Sequence, residues 1–537
     1  MSVHAAKLEL ADIQGGVLTA YGRLGFPKAR YLLLHVRDAV AGRAAIEFIR
    51  HRVTTALRWP SERKPIPTGD VAVPRPKVTI NLAFTFTGLL VLGVPTRTLR
   101  GLPDDFIDGM AARAAILGDD VPGNDHSAWD PVWLGGDEDR PHVLVLLNAQ
   151  MRPDGTPVPE LDRATREIVD YCARTDGGIR LLPGHRGPSA EWQELSALLG
   201  VAADGTRQPL PREHFGFVDA ISDPVFEGQY PDRAADHLAA GNGKVDGRGN
   251  WSPLATGEFL LGWSDEAQEM PGAAMPIAFS RNGTFLAYRK LHQDVTAFRG
   301  WIDRTAASFG GVWSIADPAI AQATLMAKIA GRWPDGVPLI AAPDHAAWID
   351  FNRRHPEDGT ADQQRDRAQR LIEFVYREDR AGTRCPVTAH VRRVNTRDTL
   401  DPTGTDPKPK ARSGSALNNR RRILRRGLPY GEAGAADGEH GTVMLAMCAN
   451  LSRQFEFVQQ QWINYGLDFG AGNDTCPIVG NHGPDAKFVI PADPGSGLAP
   501  FIATGMPQFV SVRGGDYFFL PSMTALRMIG MGVIDPT

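Results

Sequence analysis

Cysteine is scarce in this chain of 537 residues: the four present, Cys172, Cys385, Cys448 and Cys476, stand far apart, and none belongs to a C-x-x-C pair. That spacing argues against a structural zinc site, and a chain this long needs no disulfide framework to stabilise a core. Excess charge is scarce too. Lys and Arg total 58 against 62 Asp and Glu, a net charge of -4, so nucleic acid, whose phosphates must be neutralised in quantity, is not an expected partner. No run approaches the roughly 20 apolar residues needed to span a bilayer. The opening MSVHAAKLELADIQGG has acidic residues and no apolar h-region, so it does not read as a secretory signal. The expectation is a cytoplasmic chain with no membrane partner.

What is present is material for a large core: 42% of residues are hydrophobic and 22% charged, while 57 Gly and 41 Pro promise many turns. Length predicts two to four packed units, or two large ones with long insertions. Apolar runs at 29–36, 78–86 and 142–149 read as strands, and 44–53, 110–117 and 160–173 as helices. The same grammar returns later. Residues 257–263 and 283–288 read as strands and 443–448 is an apolar run, while 318–329 and 453–463 read as helices, the first with Asp317 to cap it, Pro318 at its first position and Gly331 beyond its end. Polar stretches at 228–251, 356–367 and 401–419 read as loops. The mixture implies an α+β architecture with helices covering one face of a sheet; the two halves show no sequence repeat.

Three segments could carry chemistry. In HFGFVDAISDP (214–224) Asp219 stands among Phe215, Phe217 and Ile221; an apolar setting suits a carboxylate that exchanges protons, although a turn in which Asp219 bonds local amides fits as well. In CPVTAHVRRVNTRD (385–398) a single His390 is flanked by Arg392, Arg393 and Arg397, which suits an anionic group, or else a surface strand with solvated arginines. RRRILRRGLPYG (420–431) puts five arginines in seven positions. It reads as a solvated face or an anion-binding patch, with several arginines paired to carboxylates and one turned inward.

In this order the three segments resemble those of the dye-decolourising peroxidases: the motif of the distal aspartate, the segment of the proximal histidine and the segment of the distal arginine. Further matches run through DIQGGVL, GEFLLGW, NGTFLAYRKLHQDVTAF, GRWPDGVPL, RQFEFVQQQWIN and RGGDYFFLPS. The resemblance implies two ferredoxin-like halves, antiparallel sheets with packed helices, divided as 1–215 and 216–537, with haem b in the C-terminal half. It makes His390 the axial iron ligand, Asp219 the distal acid–base residue and Arg425 its cationic partner. It further makes Asp474 the carboxylate that accepts the second ring N–H of His390, and Arg397 the partner of a haem propionate. Tyr430 and Trp462 fall in segments where the family has electron-relaying aromatics, with core packing the competing role. Hydrogen peroxide and a bulky aromatic donor are the implied substrates; the oligomeric state stays open, a homo-oligomer included. A haem-storing or iron-releasing protein with weak peroxidase activity is the competing function. One departure stands out. The motif's second glycine is Ala220 here, and a positive φ at that position would strain the backbone beside Asp219. With a reference pKa of about 3.9 against roughly 6.5 for histidine, an aspartate in the proton-accepting role predicts an acidic optimum for dye oxidation.

Overall fold

The computed structural model describes residues 7–22, 25–60, 72–185, 191–230, 238–272, 274–403, 412–435 and 438–534. Its first part runs strand–helix–strand–strand–helix–strand: β1 Lys28–Val36, α1 Ala39–Arg50, β2 Val78–Phe84, β3 Val143–Ala149, α2 Pro159–Ala173 and β4 Ile179–Leu181, with a short β5 Gln193–Ser196 added on β1. The order repeats with β6 Thr284–Gln293, α3 Val295–Val312, β7 Leu424–Tyr430, β8 Gly441–Cys448, a helical segment over Ser452–Ile463, and β9 Val510–Leu520. In both sets the hydrogen-bonded order places the last strand beside the first, then the third, then the second, so each half is ferredoxin-like although the sequences show no repeat. The nine strands form one antiparallel sheet, in which Phe519 of β9 pairs with Phe84 of β2. Its far ends approach each other, β5 against β7, so the sheet curls into a barrel.

That closure explains why the strands read as continuous apolar runs. Both faces are covered, so both sets of alternating side chains must be apolar. Tyr31, Leu33, Leu286, Tyr288, Leu428 and Phe518 fill the barrel. Their neighbours Leu32, Leu34, Phe285 and Phe519 face outward into a second core beneath α1, α2 and α7 Met523–Met531. A third core forms where α3, α4 Pro318–Ala330 and the 452–463 segment cover the second half. Helix α4 begins and ends as its residues dictate: Asp317 accepts the N–H of Ala319 at 2.8 Å, Pro318 takes the first position, and Gly331 turns left-handed at φ 88°.

Three sequence readings need correction. Residues 257–263 form no strand but a buried turn through Thr256–Glu258. A short apolar run marks burial, not conformation, and Gly257 packs so tightly that a Cβ would meet the Trp263 carbonyl. The 356–367 stretch is not all loop: α5 Ala361–Ile372 starts there under a capping box of Thr360 and Gln363. Its nearly uniform polarity hides the helical period. The 453–463 helix is present but wide, built of π-turns in which the amide of Glu456 reaches back to Leu451 and that of Asn464 to Gln459. Of the polar stretches, 231–237 and 404–411 lie outside the described residues.

Inside the barrel Lys290 Nζ meets Asp130 Oδ2 at 2.7 Å, both side chains 0% exposed, with the ammonium 4.6 Å from the Tyr430 ring centroid. Removing one member of such a pair leaves a buried charge uncompensated. Lys290→Met is expected to cost about 3–5 kcal/mol in denaturant unfolding; a loss below about 1 kcal/mol would show that water reaches Asp130.

Candidate active site

Asp219 is set by a tightly tied turn. Arg212 and Val218 form an antiparallel bridge, Val218 N–H donates to the Pro334 carbonyl at 3.0 Å and Asp219 N–H to that of Pro211 at 2.9 Å. Partly buried Glu213 accepts the amides of Phe215 and Phe217, each at 2.8 Å, and is itself held by Gln293. Beyond the turn Ala220 has φ 55°, the left-handed region foreseen as a strain on this position. There Ala220 N–H donates to Asp219 Oδ1 at 2.6 Å, tying the strained residue to the carboxylate.

The same oxygen accepts from Arg425 Nη1 at 3.0 Å. Arg425 sits on β7 opposite Ala446, and the strand's alternation turns it away from the barrel interior, where Leu424 and Leu428 lie. Both side chains keep nearly half their surface accessible, 45% for Arg425 and 44% for Asp219, although protein surrounds them: they line a recess. Burial raises the Asp219 carboxyl pKa, but the Arg425 charge, the Ala220 amide and the charge of His390 together bring it below the ordinary value. The Arg425 guanidinium is correspondingly raised by Asp219.

His390 opens the one-turn helix α6 His390–Val394, which packs on the 458–463 segment and on α4. Its Nδ1 lies 3.3 Å from Cys476 Sγ, and among the described residues Nε2 has no hydrogen-bond partner. Asp474 is not brought to this ring; its carboxylate meets Lys487 Nζ at 3.0 Å. The acceptor expected there sits two residues on and is a thiol, a residue type that reasoning from carboxylates passes over.

The arginines flanking His390 are not solvated. Arg392 is spent on Asp379 and the Cys385 carbonyl, and Arg393 on the carbonyls of Trp462, Tyr465 and Asp474. Arg397 differs. It is buried, and its Nη1 donates to the carbonyls of Ile372 and Phe374. Its Nε and Nη2 have no partner among the described residues. Two more buried guanidiniums act on it by repulsion, Arg332 and Arg422; each donates to backbone carbonyls, and the charge of Asp223 also acts on Arg422. Burial with that repulsion lowers Arg397 to about 9. Sequence reading missed Arg332 and gave Arg422 no role of its own; the available signal for Arg332 was GRWPDGVPL, where it directly follows the cap of α4. In the 420–426 run Arg420 pairs with Asp265, Arg425 with Asp219 and Arg426 with Asp223, so carboxylates rather than solvent dominate that patch. Tyr430 (3% exposed) and Trp462 (0%) are core residues, not surface aromatics. Tyr430 lies in the barrel, and Trp462 donates to Asp468 at 2.9 Å.

Two ferredoxin-like halves closed into one barrel, with an ion-paired aspartate and a histidine at the head of a short helix packed on the second half's helices, define an α+β barrel protein. Comparison with known proteins makes this specific. Residues 12–180 match the DyP dimeric alpha+beta barrel domain, and residues 408–469 the Dyp-type peroxidase C-terminal domain. The chain is 27% identical to Peroxidase 2 of Mycetinis scorodonius over 97% of its own length and 87% of that protein's. It is 29% identical to a dye-decolorizing peroxidase of Exidia glandulosa over 98% and 87%. A solved dye-decolorizing peroxidase in complex with 2,6-dimethoxyphenol superposes with a TM-score of 0.67 at 25% identity, covering 97% of this chain and 100% of that one. The chain is similar to the dye-decolourising peroxidases along nearly its whole length.

Ala220→Gly tests the strain directly. Relief of about 1–2 kcal/mol at the left-handed position, set against about 0.4–1 kcal/mol of added freedom in the unfolded chain, leaves a net gain of roughly 0–1.6 kcal/mol in unfolding experiments. A net loss would mean that Ala220 is unstrained.

Proposed function

We propose that this chain is a haem peroxidase, reducing hydrogen peroxide and oxidising bulky aromatic donors such as dyes by one-electron steps. Haem b is held in the C-terminal part, 216–537, and residues 1–215 form the companion domain. The observation that carries the proposal is the Asp219–Arg425 pair at 3.0 Å, lining a recess within electrostatic reach of His390. The residues fit the group. His390 would hold the iron through Nε2, which has no hydrogen-bond partner among the described residues, and Arg397 keeps two buried donors unpartnered among them. With Arg332 and Arg422, it forms a cationic surround suited to propionates. A cytoplasmic location belongs to the same proposal; no helix among the described residues is long and apolar enough to cross a membrane, and the four unpaired, buried cysteines suit a reducing compartment.

Bound haem supplies the redox chemistry, two-electron reduction of peroxide followed by one-electron withdrawal from donors. The chain's own residues move the protons and hold the charges. Asp219, kept ionised by Arg425, takes the proton from one peroxide oxygen at its carboxylate and returns it to the other as that oxygen leaves as water. Arg425 meets the negative charge that develops as the O–O bond breaks. Arg425 also favours the ionised form of the acid–base residue, opposing burial, which raises its pKa.

An absorption spectrum of haem-loaded protein before and after one equivalent of hydrogen peroxide tests the reading. A rapid Soret shift that reverses on adding a dye supports a peroxidase; a Soret band indifferent to peroxide points instead to a haem-handling protein. Asp219→Asn is expected to slow the peroxide reaction by about 10²–10⁴-fold, measured by stopped flow. The pH profile carries a second check. Activity needs the Asp219 carboxylate, so the acid limb falls below the ordinary aspartate value of 3.8. In Arg425→Leu the attraction is gone while burial stays, so the limb moves to higher pH; an unmoved limb would remove Asp219 from the proton path.

A further inference from the structure

His390 has two nitrogens, and the fold fixes what each can meet. We infer that Cys476 is the positioning residue for His390: its sulfur accepts the Nδ1 proton, sets the rotation of the ring and leaves the imidazole a weaker electron donor through Nε2 than a carboxylate would. The inference rests on the haem reading above for what Nε2 holds.

Geometry carries it. Nδ1 lies 3.3 Å from Sγ, and Cys476 is fully buried. The thiol cannot drift, because its backbone is clamped: the N–H donates to the Ile463 carbonyl at 2.7 Å, while the carbonyl accepts from Gly480 N–H at 3.0 Å and meets His482 Nε2 at 2.9 Å. From the other side Arg393, on the same short helix as His390, binds the carbonyls of Trp462 (2.8 Å), Tyr465 (3.0 Å) and Asp474 (2.7 Å). Ring and sulfur are therefore held in register by one set of backbone bonds. The nearby carboxylate of Asp474 is engaged by Lys487.

The chemistry follows from acceptor strength. With Nε2 on a metal, Nδ1 keeps its proton and donates it. A carboxylate there draws the proton, lends the ring imidazolate character and stabilises the ferric state. A protonated thiol is a weak acceptor, so with Cys476 in that form the ring stays close to neutral imidazole and the ferric/ferrous midpoint lies higher than with a carboxylate.

Spectroelectrochemical titration of haem-loaded wild type, Cys476→Asp, Cys476→Ser and Cys476→Ala tests this, with the iron–histidine stretch followed by resonance Raman. The midpoint is expected to move negative in Cys476→Asp. The stretch should shift down and broaden in Cys476→Ala, where the ring loses its anchor, and recover in Cys476→Ser. If Cys476→Asp does not load, the Ala and Ser pair decides alone. Histidine-ligated haem with the same midpoint and stretch in every loaded variant would overturn the inference while leaving the peroxidase reading intact. Wild type that takes up no haem, or whose haem spectrum is unchanged in His390→Ala, would overturn that reading and this inference with it.

Discussion

One antiparallel ladder carries the molecule: β6 against β9, registered from Thr284 opposite Leu520 to Gln293 opposite Val510. Strand β6 also pairs with β8, which pairs with β7, so the strand bearing Arg425 hangs from it; β9 is the strand that reaches β2 and joins the halves. Because side chains alternate, a slip of one residue would turn Phe285 into the barrel and Lys290 out of it, away from Asp130. Both faces are apolar, so apolarity alone would tolerate that slip; losing the buried Lys290–Asp130 pair is what makes it costly.

The site is a product of long-range assembly held by short-range ties. Asp219 and Arg425 are 206 residues apart, yet each is fixed before they meet, one by a turn stitched to Pro211 and Pro334, the other by a strand ladder. Two opposing effects then decide the state of the carboxyl group. Burial favours the neutral acid; the guanidinium and local amide favour the anion, and they prevail. Around His390 the balance differs again, with buried arginines either fully spent on neighbours or, in Arg397, left with donors to offer.

Much of this was legible in the sequence, and the exceptions have physical causes. Strands such as 29–36 and 142–149 announced themselves because two-sided burial makes them continuously apolar. Strand β7 did not: LRRGLPY carries arginine, glycine and proline, and its charges are matched by Asp219 and Asp223, more than 200 residues away. Helix α5 was hidden by its polarity, and GEFLLGW looked like a strand because a tightly packed turn can be as apolar as one. At the site the motif aspartate, arginine and histidine were readable and Cys476 was not. A thiol near a histidine has no sequence signature, and only the fold shows which of Asp474 and Cys476 turns inward.

The wide helical segment at 452–463 bears on how this chain can change length. A π-turn holds about one more residue than an α-turn, so deleting a single residue there could rewind the segment into ordinary α-helix without breaking it. The cost would fall downstream. Each residue of α-helix advances about 1.5 Å and turns about 100°, enough to carry the Trp462 carbonyl off Arg393 and Cys476 off His390. Residue count is what this segment must keep in addition to its buried side chains Gln454, Glu456 and Trp462: a one-codon deletion would reach the histidine directly.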